Sequence, residues 1–173
     1  MRGIGSLALG LSLGLFAPGS ARAQTLRPTI LVDGHVAVDT ILSIALTKTI
    51  HATLNDMLRG TGVRLAPLFA PATDLGGKPF TGDISEVVAA GKSHDADIVI
   101  EMNAMQSQNG NMFLAPIIVL RHSPPVDMVP VSGLSADAIA RAIANRIAKD
   151  TTRLRRLAVE DARADSAGGT KPP

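Results

Sequence analysis

Residues 86–120 read "EVVAAGKSHDADIVIEMNAMQSQNGNMFLAPIIVL", and two readings compete for their first half. Gly91-Lys92-Ser93 has the ending of a phosphate-binding loop, and His94, Asp95 and Asp97 follow at once. Such a loop has the form G-x-x-x-x-G-K-[ST] and runs from a strand into a helix, so that its backbone N–H groups wrap the phosphates. Counted back from Gly91, its first glycine would fall where the chain has Glu86. The order of elements is also inverted. Ile84, Val87, Val88 and Gly91 recur at helical spacing from a start near Asp83, and the alternation of Ile98, Ile100 and Met102 begins only afterwards. The segment therefore predicts a helix that ends at Gly91-Lys92-Ser93 and enters a strand. Asn109-Gly110 then predicts a hairpin turn, because both residues accept positive φ. Pro116 in the returning strand lacks an N–H, which predicts an edge position or a bulge.

Outward from this centre the chain alternates strand and helix signals. Ile30 to Val32 suit a short strand broken by Asp33-Gly34, and Asp39 or Thr40 suits a helix cap. Leu42, Leu46, Ile50, Leu54 and Met57 predict one apolar helix stripe, stopped by Gly60 and Gly62. "VRLAPLF" predicts a short strand, and residues 70–83, rich in Pro and Gly, predict the longest internal loop. "VDMVPV" adds another short strand. Ser135 then caps a last helix with Ile139, Ile143, Ile147 and Leu154 on its apolar stripe, and Arg153, Arg155 and Arg156 favour its carboxy end. The expected fold class is α/β (α+β): a small mixed sheet of four to five strands packed by about three helices.

The first residues carry an export pattern. Arg2 precedes an apolar run from Ile4 to Phe16, Pro18-Gly19 break it, and "ARA" stands before Gln24. The expected organisation is a signal peptide at 1–23 cut after Ala23, a single α/β domain at 24–159, and a disordered polar tail at 160–173. The apolar run is shorter than the roughly 20 residues of a spanning helix. Localisation is expected to be the periplasm, with secretion the alternative. There is no cysteine, hence no disulfide and no lipid anchor on cysteine. Of 17 Lys+Arg and 15 Asp+Glu, Arg2 and Arg22 leave with the signal peptide, so the mature chain balances at 15 against 15. With no basic excess, no Trp and no Tyr, the composition points away from nucleic acid.

Candidate sites are few. His94, Asp95 and Asp97 have metal-ligand chemistry, with a further ligand to be sought among Asp33, His35 and Asp39. Against this, Asp33-Gly34 suits a turn, Asp39 a cap and His94-Asp95 a solvated corner, and no recognised ligand spacing is matched. No Ser lies in a G-x-S-x-G elbow, and a catalytic carboxylate pair is hard to nominate. Glu101 falls on the strand face opposite Ile98, Ile100 and Met102, where solvent or a covering partner is expected. No catalytic residue and no cofactor is assigned. Met102, Met105, Met112 and Phe113 cluster around the hairpin and suit a core more than an interface.

Ala96-Asp97-Ile98-Val99-Ile100, the Asn109-Gly110 turn and the helix from Ser135 resemble a module of bacterial envelope proteins. The pattern is similar to the amino-terminal domain of the Tol–Pal translocation protein, the periplasmic domain of the curli-secretion channel family, and the outer-membrane activators of penicillin-binding proteins. The resemblance spans residues 28–157 by pattern, and the middle third at the level of residues. It implies a small docking and assembly domain without catalysis. The chain departs from it in having no lipid-attachment cysteine, no propeller repeats and a polar tail. The expected function is thus a non-enzymatic soluble periplasmic accessory protein that docks onto another periplasmic or outer-membrane protein, without a direct membrane anchor. Docking candidates are Pro116, Asn109 and Gly110, with Gly76, Gly77 and Phe80 in the long loop. The alternatives are a metal-dependent hydrolase using His35, His94 and nearby aspartates, and a small-ligand binding protein.

Overall fold

The computed structural model describes residues 27–33, 40–69, 81–109 and 111–168. The expected signal peptide, His35, Gly76, Gly77, Phe80 and Gly110 lie outside the described residues. The elements run β1 (Thr29–Asp33), α1 (Thr40–Met57), β2 (Arg64–Leu65), α2 (Ile84–Ser93), β3 (Ile98–Gln108), β4 (Asn111–Leu120), β5 (Val126–Asp127), β6 (Val131–Gly133), α3 (Ala136–Lys149) and α4 (Thr151–Gly168).

The six strands form one mixed sheet in the order β2-β1-β3-β4, with β5 and β6 both pairing β4 on its far side. β1 is parallel to β2 and β3, and β3 is antiparallel to β4. Parallel neighbours need crossover connections, and these are nearly always right-handed. Leaving β1 toward β2 and returning past β1 to β3 are moves in opposite directions, so their helices must lie on opposite faces. They do. Leu46, Ile50 and Leu54 of α1, with Leu58 just after it, pack with Ile139, Ile143 and Ile147 of α3 over Ile30, Val32, Ile98, Ile100 and Met102. Val87 and Ala90 of α2 pack over Leu31, Val99, Ile117 and Val119 on the other face. The α1 stripe ends on buried Leu58, while Met57 is partly exposed, because steps of four from Leu46 keep one face through Leu58.

The stretch 86–98 folds as its periodicity predicts, and its glycine has a packing role. A Cβ at Gly91 would lie 2.7 Å from Val99 Cγ2, so α2 sits closer to the sheet than any side chain there allows. The helix closes in a Schellman arrangement: Ala96 N–H donates to Gly91 O at 2.8 Å and Asp95 N–H to Lys92 O at 3.2 Å. Asp95 takes the left-handed position at φ +50, where glycine is usual.

Three expectations need correction. Pro116 is on an interior strand, between β3 and the β5/β6 side. Its carbonyl accepts from Met128 N–H at 3.0 Å. The N and O of a strand residue point the same way, so its missing N–H faces the gap between β5 and β6, where no ladder bond is lost. The register of β3 shifts between Met102 and Met105, directly beyond Pro116's partner, which fulfils the bulge half of the expectation. Second, the last helix is two: α3 ends at Asp150, and α4 starts in the cap-favouring run Asp150-Thr151-Thr152. Third, residues 160–168 are helical. Asp161 is buried and accepts from the N–H groups of Arg121 and His122 at 3.0 Å each and from Ser123 Oγ at 2.7 Å, fixing α4 to the end of β4.

Candidate functional site

Of the residues proposed from sequence as metal ligands, Asp97 and His94 are engaged with the backbone, Asp95 is exposed, and His35 and Asp39 lie outside the described residues. Asp97 Oδ2 accepts from Thr29 N–H at 2.8 Å, and Asp97 N–H donates to Thr29 O, joining the starts of β1 and β3. His94 Nδ1 lies 3.1 Å from Ala90 O and 3.0 Å from Ser93 Oγ, and its ring meets Phe69 edge-on. His51 Nε2 lies 2.9 Å from Ala66 O. Asp33, named as a further ligand, ends β1 at the opposite end of the sheet; at about 3.3 Å per residue it lies about 13 Å from the start of the strand. Among the described residues no group of three or more His, Asp or Glu is placed to hold a metal ion.

A different pair comes together. Asp33 is the last residue of β1, not a turn residue, and its register partner across the parallel pair is Glu101. Both are buried, at 2% and 6% exposure. They lie where the strand order reverses, with Asp33 at the carboxyl end of β1 and Glu101 the fourth residue of β3, which runs on past it into the hairpin. By alternation both side chains share the face of Leu31 and Val99, which α2 covers. Burial, and next the Asp33 charge, raise the Glu101 carboxyl from an ordinary 4.5 to about 7. Glu101 Oε1 is 2.9 Å from where a Cβ on Gly82 would stand, and Gly82 has φ +78. Only a glycine lets that backbone close over the carboxyl. Glu86 holds the turn: its Oε2 accepts from Thr81 N–H and Thr81 Oγ1, both at 2.8 Å, and these bonds lower its pKa.

The expectation that Glu101 faces solvent is therefore corrected. The available signal was the run of Ile98, Val99 and Ile100, apolar on both faces, which marks a strand covered on both sides. A carboxylate one step further on is then enclosed too.

A second feature lies at the far side of the sheet. β6 pairs β4 on one side only, and no described strand pairs its other side. Along that open edge runs a groove of about 290 Å³ lined by Val131, Ser132, Ala142, Asn145, Arg146 and Lys149. The four α3 residues are one helical stripe at spacings of three and four, flanking the stripe of Ile139, Ile143 and Ile147 that faces the core. Gly133 lets α3 cross this strand closely: a Cβ there would lie 3.0 Å from Ile139 Cγ1. Of the hairpin residues expected in the core, Met102 is buried, whereas Phe113 is 40% exposed. Asn109 forms the expected turn at φ +51 and is exposed.

No family model, curated protein or solved structure matches the chain. No described helix is long and apolar enough to cross a membrane.

Proposed function

We propose that this chain is a non-enzymatic periplasmic accessory protein that docks onto another protein of the bacterial envelope. The observation that carries this reading is the open β6 edge beside the α3 groove, where unpaired backbone groups and two cationic side chains face outward together. A free strand edge offers a ready template for another chain. The export pattern at residues 1–23 and the envelope-module resemblance over residues 28–157 support the compartment and the kind of partner. The hydrolase alternative has less support, since His94 and Asp97 serve backbone contacts and Asp95 is exposed, all at the sheet end remote from Asp33.

Photo-crosslinking in intact cells tests this reading, with the probe at Asn109, Phe113 or Ser132. Recovery of one envelope protein in near-equal amount, from the periplasmic fraction, is expected. Recovery of the chain alone from all three positions, or its retention in the cytoplasm, overturns the reading.

A small-ligand role is favoured by one observation, the Asp33–Glu101 pair at the strand-order reversal. It predicts a thermal shift with a cationic or hydroxyl-bearing small molecule that disappears in Glu101→Gln. Equal shifts in both proteins would remove it.

A further inference from the structure

We infer that the groove between β6 and α3 takes an extended, acidic segment of the partner, added as a strand to the free edge of β6; this rests on the docking reading above. Two independent features define the occupant. The first is geometric. Residues 131–133 present outward N–H and C=O groups that no described strand pairs, and the groove runs along them. An extended chain satisfies such groups through its own backbone, whereas a helix or a globular surface does not. The second is electrostatic. The lining contains Arg146 and Lys149 and no carboxylate, with Asn145 as a further polar group and Ala142 and Val131 as an apolar floor. Of the other basic residues of α3 and α4, Arg141, Arg153 and Arg156 lie beside Asp137, Asp150 and Glu160 respectively, while Arg155 and Arg163 lie outside the groove. Among the described residues Arg146 and Lys149 have no such ion pair, and of the cations without one on these helices they are the two that line the groove.

The same features discriminate against other occupants. An anionic membrane surface is engaged by clusters of roughly four to eight basic residues, and this groove has two. Single-stranded nucleic acid needs stacking platforms, and no aromatic residue lines the groove. Pairing of β6 with β6 of a second copy about a two-fold axis would bring the two cationic stripes together, and like charges across an interface are unfavourable. An acidic strand is complementary in both respects. With three residues in β6, the bond ladder is short and binding depends strongly on the charges.

The test uses labelled eight-residue peptides with alternating Thr and Glu, a Lys-for-Glu counterpart, and an N-methylated acidic version that cannot form the ladder. Binding to the mature chain is followed by fluorescence anisotropy, and the contact is mapped by amide shifts. The acidic peptide is expected to bind, to weaken roughly tenfold between 50 and 300 mM salt as the charges are screened, and to shift amides of 131–133 and 142–149. Lys149→Glu, an exposed change, is expected to weaken it at least fivefold without altering the amide spectrum elsewhere. The Lys peptide and the N-methylated peptide are expected to bind at least tenfold more weakly. Equal binding of acidic and basic peptides, indifference to N-methylation or to Lys149→Glu, shifts confined elsewhere, or salt-insensitive self-association in place of peptide binding would each overturn the inference. If cells yield a partner crosslinked only from Asn109 or Phe113 and the peptide fails, docking stands and the acidic strand falls. If the peptide binds but no envelope protein is crosslinked, the groove stands and the accessory reading falls.

Discussion

Asp33 and Glu101 face each other as register partners across the parallel strands β1 and β3, both buried, at the point where the order of strands reverses. Burial disfavours the charged form of Glu101, and the charge of Asp33 across the pair disfavours it further. The consequence is that Glu101 holds its proton to about pH 7.

That raised value ties stability to pH with a definite sign. The folded chain binds this proton more tightly than the unfolded one, so stability is fully present below pH 4.5 and is lost as pH rises through about 7. Glu101→Gln removes the titration. Urea unfolding of the variant should match the parent near pH 5 within about 1 kcal/mol and exceed it by about 2 kcal/mol at pH 8. A parallel pH dependence in both proteins would show that Glu101 is not the group responsible.

Asp161 fixes the last helix through three hydrogen bonds to the segment after β4. Asp161→Ala leaves two backbone N–H groups without their acceptor and should destabilise by about 3 kcal/mol. Hydrogen exchange at Arg121 and His122 should accelerate together. Unchanged protection there would contradict the contact.

Gly91 pits two effects against each other. Alanine is favoured over glycine in a helix by about 1 kcal/mol. Overpacking against Val99 Cγ2, at 2.7 Å from the new Cβ, opposes it by about 1–3 kcal/mol. Val99 is β-branched and sits on a buried strand, so it yields little. Gly91→Ala should therefore destabilise the parent by about 1 kcal/mol and stabilise the Val99→Ala background. A double-mutant cycle by denaturant unfolding reads the change of sign.

Asp95 occupies the left-handed position of the Schellman turn at φ +50. Its one ion pair, to Arg121 at 4.0 Å with the Asp95 side chain exposed, contributes little. Asp95→Gly should raise stability by about 0.5–1 kcal/mol. A loss of stability would mean that the side chain has a contact of greater worth.

By itself the sequence determined the elements whose cause is local. The period of Leu46, Ile50 and Leu54 set α1, the Asn109 turn set the hairpin, and Ser135 set the start of α3, where its side chain accepts from Ala138 N–H. It also disposed of the phosphate loop, since the order of helix and strand around Gly91 is a matter of periodicity. Only the tertiary structure decided what depends on strand order. Nothing local to Asp33 or Glu101 brings them together. They meet because right-handed crossovers on opposite faces place β3 beside β1, and the parallel register then sets residue 33 against residue 101. Pro116 reads as an edge signal in any one-dimensional view. It is tolerated inside the sheet because the strand beyond it is split into β5 and β6. The polar residues after 160 read as a tail because helix propensity alone does not order them; one buried contact, from Asp161 to the end of β4, fixes them to the fold, and contacts at that sequence distance exist only once the chain has packed.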